Sequence, residues 1–524
     1  MNQKTIKTIT ALLFAAVLLF SLSGCRGKDD LMPLGDKAPI APASYNEPLP
    51  EVQYNTEEYS AIKEDIFLSA KVHPFSTFAA DVDTASYANL RRMILSGKKP
   101  PADAVRIEEM LNYFSYDYPS PEDGHPFSVT TELAPCPWNE QTELLLIGLQ
   151  AKKVDPSALP PSNLVFLIDV SGSMETLDKL PLAKRAFLLL LETLSPEDKI
   201  SVVAYACSEK VILDGADISK KAEIMAAIDN LEAGGATDGS KGIVTAYALA
   251  EKHFIKGGNN RVILATDGDL NVGITSEGDL IELIEKKRAS GVYLSVLGFG
   301  SGNIKDNKME ALADHGNGNY SYIDTVAEAR KVLVKERGGT LFTVAKDVKL
   351  QVEFNPAVVK GYRLIGYENR RMRAEEFDDD KKDGGEIGAG HSVTALYEIA
   401  KVDSAYEIPQ VETRYGQPQG KKEEPSLDED EWLTVNVRYK APDGAVSKRL
   451  TYPVTDAAFQ PTMSENMSFA AGVAQFGMTL RNSPYLGSTK LSDVILRLKA
   501  LPSVATDDYK EELLYLMKKF DQTK

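Results

Sequence analysis

The chain has 524 residues, too many for one hydrophobic core, so two to four domains are expected. Its 76 acidic against 59 basic residues leave a formal charge of −17, which argues against nucleic acid as a partner. Aromatics at 8% and hydrophobics at 43% are those of an ordinary globular protein.

Lys4 and Lys7 precede an apolar run over residues 10–22 that is short for a comfortable membrane span and reads as a secretory signal. It ends in Leu22-Ser23-Gly24-Cys25, which resembles a bacterial lipobox. That resemblance implies a signal peptide over 1–24, cleavage before Cys25, and a lipid on Cys25. Several acyl chains acting together hold such a protein stably on a membrane. Arg26 follows the cysteine, which by analogy with lipoprotein sorting favours the outer membrane. Lys28-Asp29-Asp30 resembles a short surface-export signal, and an ordinary charged linker explains it equally well. The expected location is therefore the outer membrane, lipid-anchored, facing the periplasm or exposed at the cell surface. Residues 25–60, rich in Pro, Ala, Asn and Glu without a period, read as a flexible tether.

Residues 61–125 read as a helical N-terminal region. Asp83 or Thr84 caps a helix that stops at Gly97, and Ile107, Met110, Leu111 and Phe114 share one face of the next. Residues 126–158 and 340–455 are rich in strand patterns, FSVTTEL, TELLLIGLQ, KDVKLQVEF and WLTVNVRYK among them, and together suggest a β-sandwich-like domain. Between them, residues 159–335 alternate short apolar strands with amphipathic helices, which implies a doubly wound, mostly parallel sheet covered on both faces. KISVVAYA and KVIL, separated by a short turn, read as an antiparallel hairpin at one edge. The fold class is thus α/β, inserted in or flanked by the sandwich, because compact domains tolerate insertion where their termini lie close. Residues 460–524 read as a helical C-terminal region. The acidic stretch from Glu375 to Gly385 reads as a solvated hairpin tip, with a cation-binding loop as the alternative, and Cys136 and Cys207 read as two buried free thiols, with a disulfide between them open in an oxidising compartment.

Three polar clusters fall at strand ends or on neighbouring loops of the α/β unit, where doubly wound sheets place ligands. They are Asp169-Val-Ser171-Gly-Ser173, the loop Gly234 to Gly239 containing Thr237 and Asp238, and Thr266-Asp267-Gly268-Asp269. Carboxylates and hydroxyls are hard oxygen donors, suited to Mg²⁺, Mn²⁺ or Ca²⁺ rather than zinc. D-x-S-x-S with these two downstream loops resembles the von Willebrand factor type A domain, a Rossmann-like fold. The resemblance implies a metal-ion-dependent adhesion site (MIDAS) built from Asp169, Ser171, Ser173, Thr237 and Asp267. It holds a divalent cation, Mg²⁺ foremost, that is completed by an acidic side chain of a protein ligand. The stretches FAADVDTASYANLRRMI, APCPWN, YRLIGYENR and FAAGVAQFGMTLRNSPY extend the likeness over residues 61–515, to a bacterial lipoprotein family with uncharacterised regions on either side of the type A domain.

Enzyme readings fail on the residues. Ser171 stands where a phosphatase-type Asp-x-Asp motif needs its second acid, and Ser240 precedes Lys241, reversing the P-loop order. The five histidines are scattered. No enzyme activity is expected. The leading expectation is a metal-dependent protein-binding module on a lipid anchor at Cys25. The alternative is an envelope scaffold whose metal site only stabilises the fold.

Overall fold

The computed structural model describes residues 55–80, 82–122, 124–155, 158–235, 239–268, 277–408, 430–442 and 444–523. Before the α/β unit come β1 (Leu68–Ser69), β2 (Phe75–Ala79), β3 (Phe127–Pro135) and β4 (Glu143–Ala151). The unit itself contributes β5 (Ser162–Asp169), β6 (Lys199–Tyr205), β7 (Glu209–Asp217), β8 (Asn259–Thr266), β9 (Tyr293–Phe299) and β10 (Tyr320–Ile323). The return gives β11 (Thr343–Phe354), β12 (Val359–Ile365), β13 (Arg371–Met372), β14 (Gly385–Gly388), β15 (Ser392–Lys401), β16 (Glu431–Lys440) and β17 (Ser447–Thr455).

One antiparallel sheet runs β1-β12-β15-β4-β3 and a second runs β13-β2-β11-β16-β17, with β14 added to β11. The apolar run of β4 is continuous because both of its faces are covered. Leu145, Ile147 and Leu149 join Leu350, Val352, Val435 and Val437 of the second sheet in one core. Leu144 and Leu146 point the other way, into a cluster built by helices. The helices Ile107–Asn112 and Glu465–Arg481 meet there, so close that a Cβ on Gly477 would lie 2.8 Å from Ile107. The N- and C-terminal helices therefore form one shared layer over the first sheet.

Residues 61–125, expected to be helical, also carry β1 and β2, one in each sheet of the sandwich. Ser76 and Thr77 of β2 are buried and bonded to Tyr397 and Gln351, and such polar core positions hide a strand from its hydrophobic pattern. Asp83 does not cap the helix Ala85–Leu95; Thr84 occupies the N-cap without a side-chain bond. Asp83 instead accepts the Tyr320 N–H at 2.8 Å and pairs with Arg370 at 3.0 Å, which blunts the β10 edge. The acidic stretch is largely exposed, as expected, but it is not a hairpin tip, because the strands on either side of it, β13 and β14, pair with β2 and β11 rather than with each other. Its first residues form a 3₁₀ turn, and Asp378 and Asp380 pair with Arg438 at 3.0 and 3.1 Å. Cys136 is a buried thiol, Cys207 is exposed, and the two are not joined.

The central sheet has the order β10-β9-β8-β5-β6-β7. All its pairings are parallel except β6 with β7, which is the antiparallel edge hairpin. β5 is buried throughout. Its Val165 and Leu167 pack toward one helical face, and Leu164, Phe166 and Ile168 toward the other. A strand covered on both sides can afford polar groups only at its ends, and β5 ends in Asp169.

Candidate functional site: the carboxyl ends of β5 and β8

Three backbone bonds pin the loop after β5. Val170 N–H donates to Tyr205 O (3.0 Å), Gly172 N–H to Gly235 O (2.9 Å), and Gly234 N–H to Val170 O (2.7 Å). Met174, fully buried, anchors the loop in the apolar core below. Asp169 Oδ1 accepts the Ser171 N–H at 2.9 Å, a local turn that fixes the carboxylate. Its Oδ2 accepts the hydroxyls of Thr266 at 3.1 Å and Tyr205 at 3.3 Å. Ser171 and Ser173 hold their Oγ atoms 3.1 Å apart.

Asp267 follows the last residue of β8 and is fully buried. Its Oδ2 accepts Lys179 Nζ at 3.0 Å and Asn303 Nδ2 at 2.8 Å. Gly268 has φ +96, and a Cβ there would lie 2.6 Å from the Lys305 nitrogen, so only glycine fits the turn out of β8. The two carboxyls have different environments. Burial, joined by the charge of Asp267, pushes Asp169 up to about 6 despite its bonds to Ser171 and Thr266. Burial also pushes Asp267 upward, but Lys179, Asn303 and the Ser173 hydroxyl outweigh it and hold that carboxyl below its ordinary range.

The oxygens of Asp169, Ser171, Ser173 and Asp267 thus form a connected series. It runs from a buried floor to Ser173, which is exposed at the surface. Hydroxyls and carboxylates converging in this way are donors that fit a hard divalent cation with room for outside ligands. Among the described residues no group of three or more His, Cys, Asp and Glu could hold a metal. Thr237, Asp238, Asp269 and Cys25 lie outside the described residues. Sequence reasoning named Thr266 in the third cluster but gave it no role, and it missed Tyr205, whose signal is a polar residue at the carboxyl end of a strand flanking β5. It also missed Lys179 and Asn303, which reach Asp267 from a distant turn and a distant loop.

Residues 163–335 match the von Willebrand factor type A domain family. Residues 53–146 match a family described as von Willebrand factor, and residues 339–523 match the C-terminal family of the uncharacterized protein YfbK. The chain is 42% identical over 473 residues to uncharacterized protein YfbK of Escherichia coli K12, covering 89% of this chain and 81% of that one. The chain belongs to the YfbK-like family of type A domain proteins. Human inter-alpha-trypsin inhibitor heavy chain H3 is 31% identical over 185 residues, which is 33% of this chain and 21% of that protein. A solved von Willebrand factor type A protein from Catenulispora acidiphila covers 77% of this chain and 91% of its own, at TM-score 0.42 and 17% identity. Type A domains generally serve protein–protein interaction or adhesion. Among the described residues no helix is long and apolar enough to cross a membrane.

Proposed function

We propose that this YfbK-like chain is a lipid-anchored protein of the cell envelope that captures a protein partner through a divalent cation, Mg²⁺ foremost, held by its type A domain. Asp169, Ser171, Ser173, Thr237 and Asp267 would hold the ion. The ion supplies a positive centre whose remaining position takes a carboxylate of the partner. The observation that carries this reading is the connected series Asp169–Ser171–Ser173–Asp267, which opens to solvent at Ser173 and is fixed by backbone bonds to the neighbouring loop. The chain's own residues divide the work. Tyr205 and Thr266 orient Asp169, Lys179 and Asn303 orient Asp267, and Met174 keeps the loop from collapsing onto the site. Cys25 would carry the lipid, with the tether to residue 60 giving reach.

Pull-down from envelope extract tests the reading: a partner is retained in Mg²⁺, released by EDTA, and lost in Asp169→Ala and Thr237→Ala. Retention of the partner by both folded variants refutes it. A scaffold role is the second reading. It is favoured by the buried ion pairs that join the type A domain to its surroundings, Arg91 to Glu328 at 2.8 Å and Arg106 to Asp306. Under that reading Mg²⁺ raises stability and no partner depends on it.

A further inference from the structure

The opposite end of the central sheet from Asp169 borders a cavity of about 770 Å³, shared between the type A domain and the sandwich. That is the size range of small-molecule sites. Arg261, the third residue of β8, faces it. Only 1% of Arg261 is exposed, and its Nε has no partner among the described residues. Nη1 donates to Ser295 Oγ at 2.7 Å and Nη2 reaches Leu341 O at 3.4 Å, both neutral groups. The guanidinium lies 5.5 Å from the Tyr293 ring centroid.

A buried guanidinium needs an anion to offset its lost hydration. Four other arginines with almost fully buried side chains keep that rule. Arg91 meets Glu328, Arg106 meets Glu109, Arg363 meets Glu398 and Arg481 meets Glu368. Arg261 has no carboxylate within ion-pair distance among the described residues, and burial alone holds its pKa down to about 10. Lys346 and Lys381 line the same cavity, also without an acidic partner among the described residues. Of the acids lining the cavity, Asp347 pairs with Lys349 and Lys440, Asp380 with Arg438 and Asp383 with Arg288, whereas Glu386 is buried with its Oε1 unbonded among the described residues. Burial, and after it the charge of Asp383, pushes the Glu386 carboxyl well above the ordinary range, against the pull of Arg288.

We propose that this cavity binds a small organic anion whose carboxylate or phosphate oxygens pair with Arg261 and meet Lys346 at the rim. A planar, fixed cation with open donors suits such oxygens. Leu159 and Pro160, which lead into the type A domain, and Leu341 and Phe342, which lead out of it, line the same space. An occupant therefore braces both connections between the domain and the sandwich.

Calorimetric titration of the full chain separates the two sources of anion: succinate and citrate in one arm, inorganic phosphate in the other, with chloride as control. One arm gives saturable binding at one site per chain. Arg261→Met and Lys346→Glu each weaken it about tenfold or more, a loss of about 1.4 kcal/mol. Asp169→Ala, at the far end of the sheet, leaves it unchanged. Should Arg261→Met fail to fold, Lys346→Glu decides, because that side chain is only partly buried. Absence of saturable heat in both arms, or unchanged binding in the folded variants, overturns the proposal.

Discussion

Lys179 is the residue whose removal reads most directly on the balance of charge at the candidate site. Its ammonium lies 3.0 Å from Asp267 Oδ2, with side-chain exposures of 8% and 0%. At an effective dielectric of ~20 that attraction is about 5–6 kcal/mol, an upper bound before desolvation is counted. Breaking a buried pair by removing one partner costs about 3–5 kcal/mol, because the remaining charge is left uncompensated. Lys179→Met keeps the stem that packs over Gly300, where an added Cβ would overlap it, so the loss is electrostatic rather than steric. In EDTA the variant should therefore unfold at a urea midpoint lower by the equivalent of about 3–5 kcal/mol. A cation binding beside Asp267 returns part of that, about 2.7 kcal/mol at a hundred times its Kd. The Mg²⁺-dependent gain in stability should be larger in Lys179→Met than in the parent chain, because Asp267 then lacks its internal counter-charge. The assay is urea unfolding followed by far-UV circular dichroism, with and without Mg²⁺. Equal midpoints for the two proteins in EDTA, or equal gains with Mg²⁺, would refute the reasoning.

Arg91→Met should lower stability by about 3–5 kcal/mol, because Asp324 (2.8 Å) and Glu328 (2.8 Å) are buried around that guanidinium. The partly exposed Glu512 partner should matter less, so Glu512→Gln shifts the urea midpoint by under about 1 kcal/mol. Gly268→Ala should cost more than about 1 kcal/mol and weaken cation binding, because φ is +96 and the Cβ meets the Lys305 nitrogen; urea unfolding reads the first effect and calorimetric titration with Mg²⁺ the second. Asp65 is pushed by burial up to about 7 from 3.8, even with Arg371 beside it. The folded state then holds a proton that the unfolded chain has released, so stability is highest below pH ~4 for this group and falls as pH rises toward ~7, by at most about 1.4 kcal/mol per pH unit. Asp65→Asn should flatten the unfolding midpoint between pH 5 and 7, and a slope unchanged by the substitution contradicts that assignment.

The central sheet was legible because its strands are buried on both faces, and runs such as LVFLID cannot hide that. The hairpin of β6 and β7 was legible from the short turn alone. β2 was not legible, because Ser76 and Thr77 find their partners on strands more than 270 residues away. The supposed cap at Asp83 failed for a related reason: a distant N–H and a distant arginine outbid the local backbone. At the candidate site, Asp169, Ser171, Ser173 and Asp267 could be read from one motif and one strand end. Lys179 could not, since nothing local distinguishes it from a surface lysine at a helix start. The unpaired charge of Arg261 is equally silent in sequence, because it is defined by which carboxylates fail to reach it.

The central claim is that the series of oxygens from Asp169 to Asp267 holds a divalent cation. Titration of Mn²⁺ into the metal-free full chain, with free Mn²⁺ followed by electron paramagnetic resonance, tests it most directly. The account predicts one tightly held ion per chain, displaced by Mg²⁺ and absent in Asp169→Ala. Binding that is absent from the parent chain, or that persists undiminished in the folded variant, contradicts it.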